Sequence, residues 1–449
     1  MFKTCRKTQN YFNMPVNIPE TAQKRIVIIG AGFGGLKLAQ KLVGSGYQIV
    51  LIDKNNYHQF QPLFYQVASA GIEPSSILFP LRKIFQKQKD VYIRVAEVYS
   101  VDPHKKELQT SLDTVWYDYL VISSGVNSNF FGMKNMEEYA IPMKSASEAM
   151  ALRNRLLQSF EKAVTLRDQN ERKSLLNVIV VGGGPTGVEV AGAIAEMKKF
   201  VLYKDYPDLN FDAMQISLIE GSPALLGGMS KHASEKALFY LQRLGIKVLL
   251  NTQVTDFDGN ALSFRDGTQI ETKTVIWAAG ISGVVPSGFS KDMIGRGNRI
   301  LVDQYNRIQG FEDIYAIGDV CLMPCTSHPN GHPQVAQVAI QQGKNLAMNF
   351  LSMKRNGSLR QFKYIDRGSM ATIGRNRAVA DLSFVKFSGF LAWLTWMFVH
   401  LMAIVGVKNR LLIFINWMWN YMTYDQSLRL ILWAAKKDPT KIISPLDRK

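Results

Sequence analysis

The chain has 449 residues, 47% of them hydrophobic, enough to build the cores of two or three domains and to exclude wholesale disorder. Lysine and arginine number 53 against 36 acidic residues, a formal net charge of +17. Apart from a cluster at each terminus the charges are dispersed, with no basic stripe interleaved with aromatics, so nucleic acid is excluded as the expected partner and an anionic cofactor or membrane surface is left.

Residues 1–24 are expected to be a flexible lead-in. Arg25 to Asp53 then reads as a βαβ unit: a β-branched run from Ile26 to Ile29, the turn Gly30-x-Gly32-x-x-Gly35, a helical stretch from Leu36 to Leu42, and a second apolar run from Gln48 to Ile52. Gly30 permits the tight turn, Gly32 lets backbone N–H groups approach a pyrophosphate, and Gly35 lets helix and strand pack closely. Asp53 stands where a carboxylate can accept the ribose hydroxyls of an adenosine. The aromatic and proline-rich stretch Tyr57 to Gln66 and beyond reads as an ordered loop with short helical turns. A strand region from Val91 to Val101 follows, then Tyr119 to Gly125, a buried strand whose small-residue turn at Gly125 lets the chain pass close to a ligand.

A helical pattern from Ser147 to Asp168 leads to a second copy of the same design. Strand Val178 to Val181 meets Gly182-x-Gly184-x-x-Gly187, a helix begins at Val188, and strand Gln215 to Ile219 ends in Glu220. The extra segment Lys198 to Asn210 is expected to be a helix extension or a lid. Two such motifs mean two dinucleotides, most economically a tightly held flavin and an exchanging nicotinamide. Neither Asp53 nor Glu220 is followed by an arginine pair suited to a 2′-phosphate, so NADH is favoured over NADPH. Strand Thr274 to Gly280 closes the nested domain, and Gly310 to Asp319 returns to the first, offering the Asp319 carboxylate to a flavin's ribityl chain. A helix expected from about Pro333 carries Gln334, Gln337, Gln341 and Gln342; Gln337 and Gln341, at i and i+4, share a face and can donate to a quinone carbonyl or cap nearby backbone.

Only three cysteines occur, Cys5, Cys321 and Cys325, too few for a disulfide framework, and no pair stands mid-chain as a disulfide reductase would need. Cys321 and Cys325 are expected to be inert. Metal binding by His328 and His332 is not expected, because Pro329, Gly331 and Pro333 forbid a helix between them. The N-terminus lacks an apolar signal core, which places the protein in the cytoplasm or on the cytoplasmic face of a membrane. The tail from Phe387 holds five of the chain's seven tryptophans. Its stretch Gly389 to Val407 has His400 as its sole ionisable group and approaches the length of a membrane span, yet Lys408 and Arg410 would then lie on the wrong side. Asn409, Asn416, Asn420, Thr423 and Ser427 form a polar stripe, with Leu412, Trp419, Met422 and Leu430 elsewhere, as in a helix lying in the interface.

With these motifs the chain resembles the type II NADH:quinone oxidoreductases, monotopic flavoproteins with two dinucleotide-binding domains. The resemblance is carried by both glycine motifs, the Tyr57 to Gln66 loop, Tyr315-Ala-Ile-Gly-Asp319 and, most specifically, Ala336-Gln-Val-Ala-Ile-Gln-Gln342. It implies an α/β fold with two Rossmann-like domains, one nested in the other, and a membrane-anchoring helical tail. The units are 25–145 and 283–386 for FAD, 146–282 for NADH and 387–449 for the tail. It further implies that Gly30, Gly32, Gly35, Asp53 and Asp319 hold FAD, that Gly182, Gly184, Gly187 and Glu220 hold NADH, that Gln337 and Gln341 lie at the quinone end, and that Glu189 relays a proton or is merely structural. A homodimer is left open. Alternatives are a sulfide:quinone oxidoreductase-like flavoenzyme, which would need mid-chain cysteines, and a non-catalytic NADH-binding flavoprotein, which would need neither glutamine helix nor tail.

Overall fold

The computed structural model describes residues 16–423 and 428–432. Most of the expected lead-in, together with Ser427 and Trp433 of the tail, lies outside them. The lead-in's last residues are packed rather than loose: Val16 is buried, its carbonyl accepts from Arg94 Nε, and the Pro19 carbonyl accepts from Gln48 Nε2 at 2.7 Å.

The first sheet runs Ile314–Ala316, Tyr119–Ile122, Arg25–Ile29, Gln48–Asp53, Val91–Val95, all parallel, with Arg25 opposite Gln48 and Ile29 opposite Ile52. Its central strands are buried on both faces, which is why they read as unbroken β-branched runs rather than alternating ones. The helices Phe33–Leu42 and Ala336–Lys354 pack on one face. The region 91–101 divides at Ala96: Val98–Asp102 leaves the parallel sheet for an antiparallel one with Glu107–Thr110 and Thr114–Trp116.

The second parallel sheet has the order Ile141–Pro142, Thr274–Trp277, Val178–Val181, Ile216–Ile219, Lys247–Leu249. Because Ile141–Pro142 pairs there, the second unit begins upstream of the boundary expected at 146. Val126–Ser128 and Ile281–Gly283 pair antiparallel where the chain crosses out of the first unit and back. The helix Ala146–Thr165 starts at a capping box in which Ser145 and Glu148 satisfy each other's backbone N–H. Of the two options for the extra segment, the chain takes the helix extension: Pro185–Met197 continues through a π-helical turn, Lys198–Leu202, into Tyr203–Asp205.

The C-terminal unit starts earlier than residue 387. An antiparallel sheet, Ser369–Thr372, Ala378–Asp381 and Lys386–Gly389, carries the helices Phe390–Ala403 and Val407–Thr423. A turn with Gly406 at φ +85° splits the apolar stretch 389–407. The 14-residue helix Phe390–Ala403 is about 21 Å long, short of the roughly 30 Å hydrocarbon thickness. Among the described residues no helix is long and apolar enough to cross a membrane. Trp396, Ile404, Ile413 and Trp417 are buried in the same core as Phe60, Leu63 and Tyr65, so these helices complete the body.

Candidate functional site

The two glycine turns are built alike. Gly30 has φ +94° and Gly182 φ +111°, and a Cβ at either would collide with the neighbouring strand's backbone at Ser123 or Ala278. Gly35 and Gly187 sit against the carbonyls of Gly30 and Gly182, leaving no room for a side chain. Gly32 and Gly184, by contrast, face open space and cap helices Phe33–Leu42 and Pro185–Met197 with no side chain bonded to the exposed N–H groups. Each turn is therefore an open cradle at the positive end of a helix, which fits a pyrophosphate. Gly125, φ +71°, also faces open space.

The two acids are more deeply tied in than spacing indicates. Asp53 Oδ2 accepts from Ala31 N and Oδ1 from Asn55 N, both at 2.7 Å. Glu220 does the same with Gly183 N at 2.5 Å and Ser222 N at 2.7 Å. Each carboxylate thus holds its glycine turn in shape and keeps lone pairs for a ribose hydroxyl. A cavity of about 400 Å³ adjoins the Glu220 turn, lined by Gly221, Asn251, Thr252 and Gln253 among others.

Asp319 lies in the turn after Ile314–Ala316, with its carboxyl pushed up by burial and held back by the nearby Lys144 and Arg299. Lys144, which the sequence reading passed over, is itself lowered by burial. The glutamine helix begins at Ala336. Gln342 is buried and accepts from Gly318 N at 2.7 Å, fixing this turn against the helix. Gln337 and Gln341 do share a face, but their amides already donate to backbone: Gln337 Nε2 to Gly368 O at 3.1 Å, Gln341 Nε2 to Ile365 O at 2.9 Å. Gln341 Oε1 also accepts from Ile365 N at 3.0 Å, so this residue straps residue 365 to the helix. Gln337 Oε1 is buried without a partner.

Glu189 is half-buried on the second glycine helix. Thr372 N donates to its Oε1 at 3.4 Å, the Trp396 side chain is near enough to favour its charge yet closes no hydrogen bond, and burial outweighs both, raising the carboxyl to about 8. Two turns along the same face is Glu196, also raised by burial, whose Oε1 accepts from Arg375 N. Glu196, Tyr65, Arg375, Trp393, Trp396 and Trp417 border a cavity of about 110 Å³ under the tail helices. Tyr65 is pushed upward by burial and then by the charge of Glu189. Glu196 was findable at i+7 from Glu189; Tyr65 and Arg375 come from distant segments that only the fold unites.

Of the tail's polar stripe, Asn409, Asn416 and Asn420 are half-buried and Thr423 is exposed. Asn420 Nδ2 donates to Gly71 O at 2.8 Å, Trp417 Nε1 to Gln66 Oε1 at 2.8 Å, and Arg375 Nη2 to Asn420 O at 2.7 Å. Outward stand Leu391, Phe398, Val407, Trp419 and Met422, each at least 60% exposed. His400 is held neutral by burial, which lowers it to about 4, and its Nδ1 pairs with Trp396 O at 2.8 Å. Cys321 is buried and raised to about 11, next to Gln342, as an inert thiol would be.

The family model described as pyridine nucleotide-disulphide oxidoreductase matches residues 24–343, and one described as NDH2 C-terminal domain matches 367–424. The chain is 35% identical over 412 residues to the type II NADH:quinone oxidoreductase Ndh of Mycobacterium tuberculosis, covering 88% of this chain and 87% of that one. It is 29% identical to the mitochondrial external alternative NADH-ubiquinone oxidoreductase of Yarrowia lipolytica, over 89% of this chain and 79% of that one. Its fold is similar to that of NDH2 from Plasmodium falciparum in complex with NADH: TM-score 0.85, 23% identity, 92% of this chain and all of that one. The sulfide:quinone oxidoreductase of Aquifex aeolicus is similar at TM-score 0.67 and 20% identity, over 84% of this chain and 90% of that one.

Proposed function

The chain belongs to the type II NADH:quinone oxidoreductases, within the pyridine nucleotide-disulphide oxidoreductase family, and on that premise we propose how its residues divide the reaction. It is an enzyme that passes electrons from NADH through FAD to a quinone without proton pumping. Bound FAD supplies the two-electron relay between the two substrates.

In this reading Gly30, Gly32, Gly35, Asp53, Gly125 and Asp319 hold FAD, the cradle at Gly32 taking the pyrophosphate and Asp53 an adenosine ribose. Gly182, Gly184, Gly187 and Glu220 do the same for NADH. Supporting this is the duplicated geometry: two free helix N-termini, each beside a carboxylate that braces its own turn. Lys144 and Arg299 give the Asp319 end a positive field suited to an anionic cofactor. The apolar outer face of the tail helices rests on the cytoplasmic leaflet, and the quinone enters beneath them, past Tyr65 and the tryptophans. Gln337, with its unpartnered Oε1, contacts the quinone end, and Gln341 positions the adjoining wall. Glu189, protonated at neutral pH, holds a proton for quinone reduction, with Glu196 two turns along the helix at the cavity's edge.

The duplicated cradle carries the reading, and Glu220→Ala tests it. Losing the ribose acceptor and the brace on Gly183 should raise KM for NADH about tenfold or more while FAD stays bound. A purified variant that has lost its yellow colour would mean that the two cradles are assigned in reverse.

A further inference from the structure

We propose that Cys325, His328 and His332 form a binding site for one zinc ion, outside both nucleotide cradles and the cavity under the tail. Each offers one donor atom, and the three donors lie within 4.8 Å of one another. The absence of a helix, which argued against metal in the sequence, is what brings them together. Cys325 and His328 exchange both backbone hydrogen bonds, at 3.1 and 3.0 Å, closing a tight two-residue turn. Gly331, at φ +79°, donates to His328 O at 2.9 Å and reverses the chain again. His332 is thereby returned to His328, their ring centroids 4.6 Å apart.

Two observations point to a missing ligand. Cys325 Sγ is 3.9 Å from His328 Nδ1, a weak sulfur contact near the separation of about 3.3–3.7 Å between donors on one tetrahedral zinc. His332 is buried, 5% exposed, and its Nδ1 has no hydrogen-bond partner, a costly state unless something binds there. One thiolate and two imidazoles suit zinc and not magnesium or calcium, and three protein ligands leave a fourth position for water.

The surroundings also fit. Arg299 donates to the carbonyls of Cys321 and His332, holding the loop from behind. The Arg299 charge opposes a cation, and the Cys325 thiolate offsets it. The ion would staple the loop between the Asp319 turn and the glutamine helix, just ahead of Gln334, whose Nε2 donates to Asp319 O at 2.9 Å. It would stiffen this connection without taking part in electron transfer.

Cobalt(II) tests the site on the FAD-loaded full chain in a Cys5→Ser background, after chelation and under anaerobic conditions. The expected result is saturation by one equivalent, with visible ligand-field bands and a near-ultraviolet thiolate-to-cobalt band, all displaced by Zn²⁺. Cys325→Ser should abolish the thiolate band, and both it and His328→Gln should weaken cobalt binding at least tenfold while FAD absorbance, and hence the fold, is kept. Cobalt binding that survives in the variants, lacks the thiolate band, or is absent at micromolar concentration overturns the proposal.

Discussion

Glu189 condenses the chemistry to one carboxyl. Its pKa rises from 4.5 to about 8 because the charged form is stripped of water, so the folded state binds more protons than the unfolded one across that window. Stability contributed by the protonated form is therefore complete below pH 4.5 and is lost as pH climbs toward 8. Glu189→Gln, which keeps an acceptor for Thr372 N, removes this term. The variant should be more stable than the parent at pH 8 by roughly 3 kcal/mol, converging with it near pH 4, as read by chemical denaturation of the FAD-loaded proteins. Quinone reduction in the parent should fall above pH 8, and the variant should be slow with a flat profile. At this scale the glycine motifs, Asp53 and Glu220 were legible because each is a local backbone requirement. The second oxygen of each acid, occupied by the loop after its own strand, was not, nor was the capture of Gln341 by Ile365, since both depend on which loops return. Gln337→Leu should slow reoxidation of the protein by quinone several-fold and leave reduction by NADH unchanged; an equal loss in both steps would put the quinone elsewhere.

Among the elements, the tail helices depart furthest from a simple reading. Their periodicity was visible, but not the direction of each face: Asn420 turns toward Gly71, Trp396 and Trp417 turn in, and Leu391, Phe398, Trp419 and Met422 turn out. An amphipathic helix packed in this inverted sense needs an apolar neighbour, and a bilayer provides one. Phe398→Ser with Trp419→Ser should lower binding to phosphatidylglycerol-containing vesicles at least tenfold, with little change in Tm because both side chains are exposed. Trp417→Ala should do the opposite, since it empties a core position and orphans Gln66 Oε1: a stability loss of about 3–5 kcal/mol, with its outer apolar face intact. Vesicle binding by the double variant equal to the parent's would remove the tail from the membrane. Deleting the tail from residue 387 is a poorer test, because it uncovers the core around Tyr65 and cuts the edge strand Lys386–Gly389.

For the molecule as a whole, two copies of one supersecondary unit, the second inserted into the first, set two anion cradles in one chain. That much was readable from strand, turn and helix in order. The seam was read less accurately, because Ile141–Pro142 is too short to announce which sheet it joins, and its partner Ile276 is far along the chain. Strand pairing at Val126–Ser128 and Ile281–Gly283 makes the crossing between the two units two-stranded. The central claim is that one chain holds both cofactors and serves as the conduit between them. Its most direct measurement is a stepwise anaerobic reaction of the purified yellow protein with one equivalent of NADH and then a soluble quinone, followed by absorbance. The account predicts loss of the yellow colour with one NAD⁺ formed per FAD, then full return of colour with one quinol formed. Colour that persists on adding NADH, or that is lost and fails to return with quinone, would contradict it.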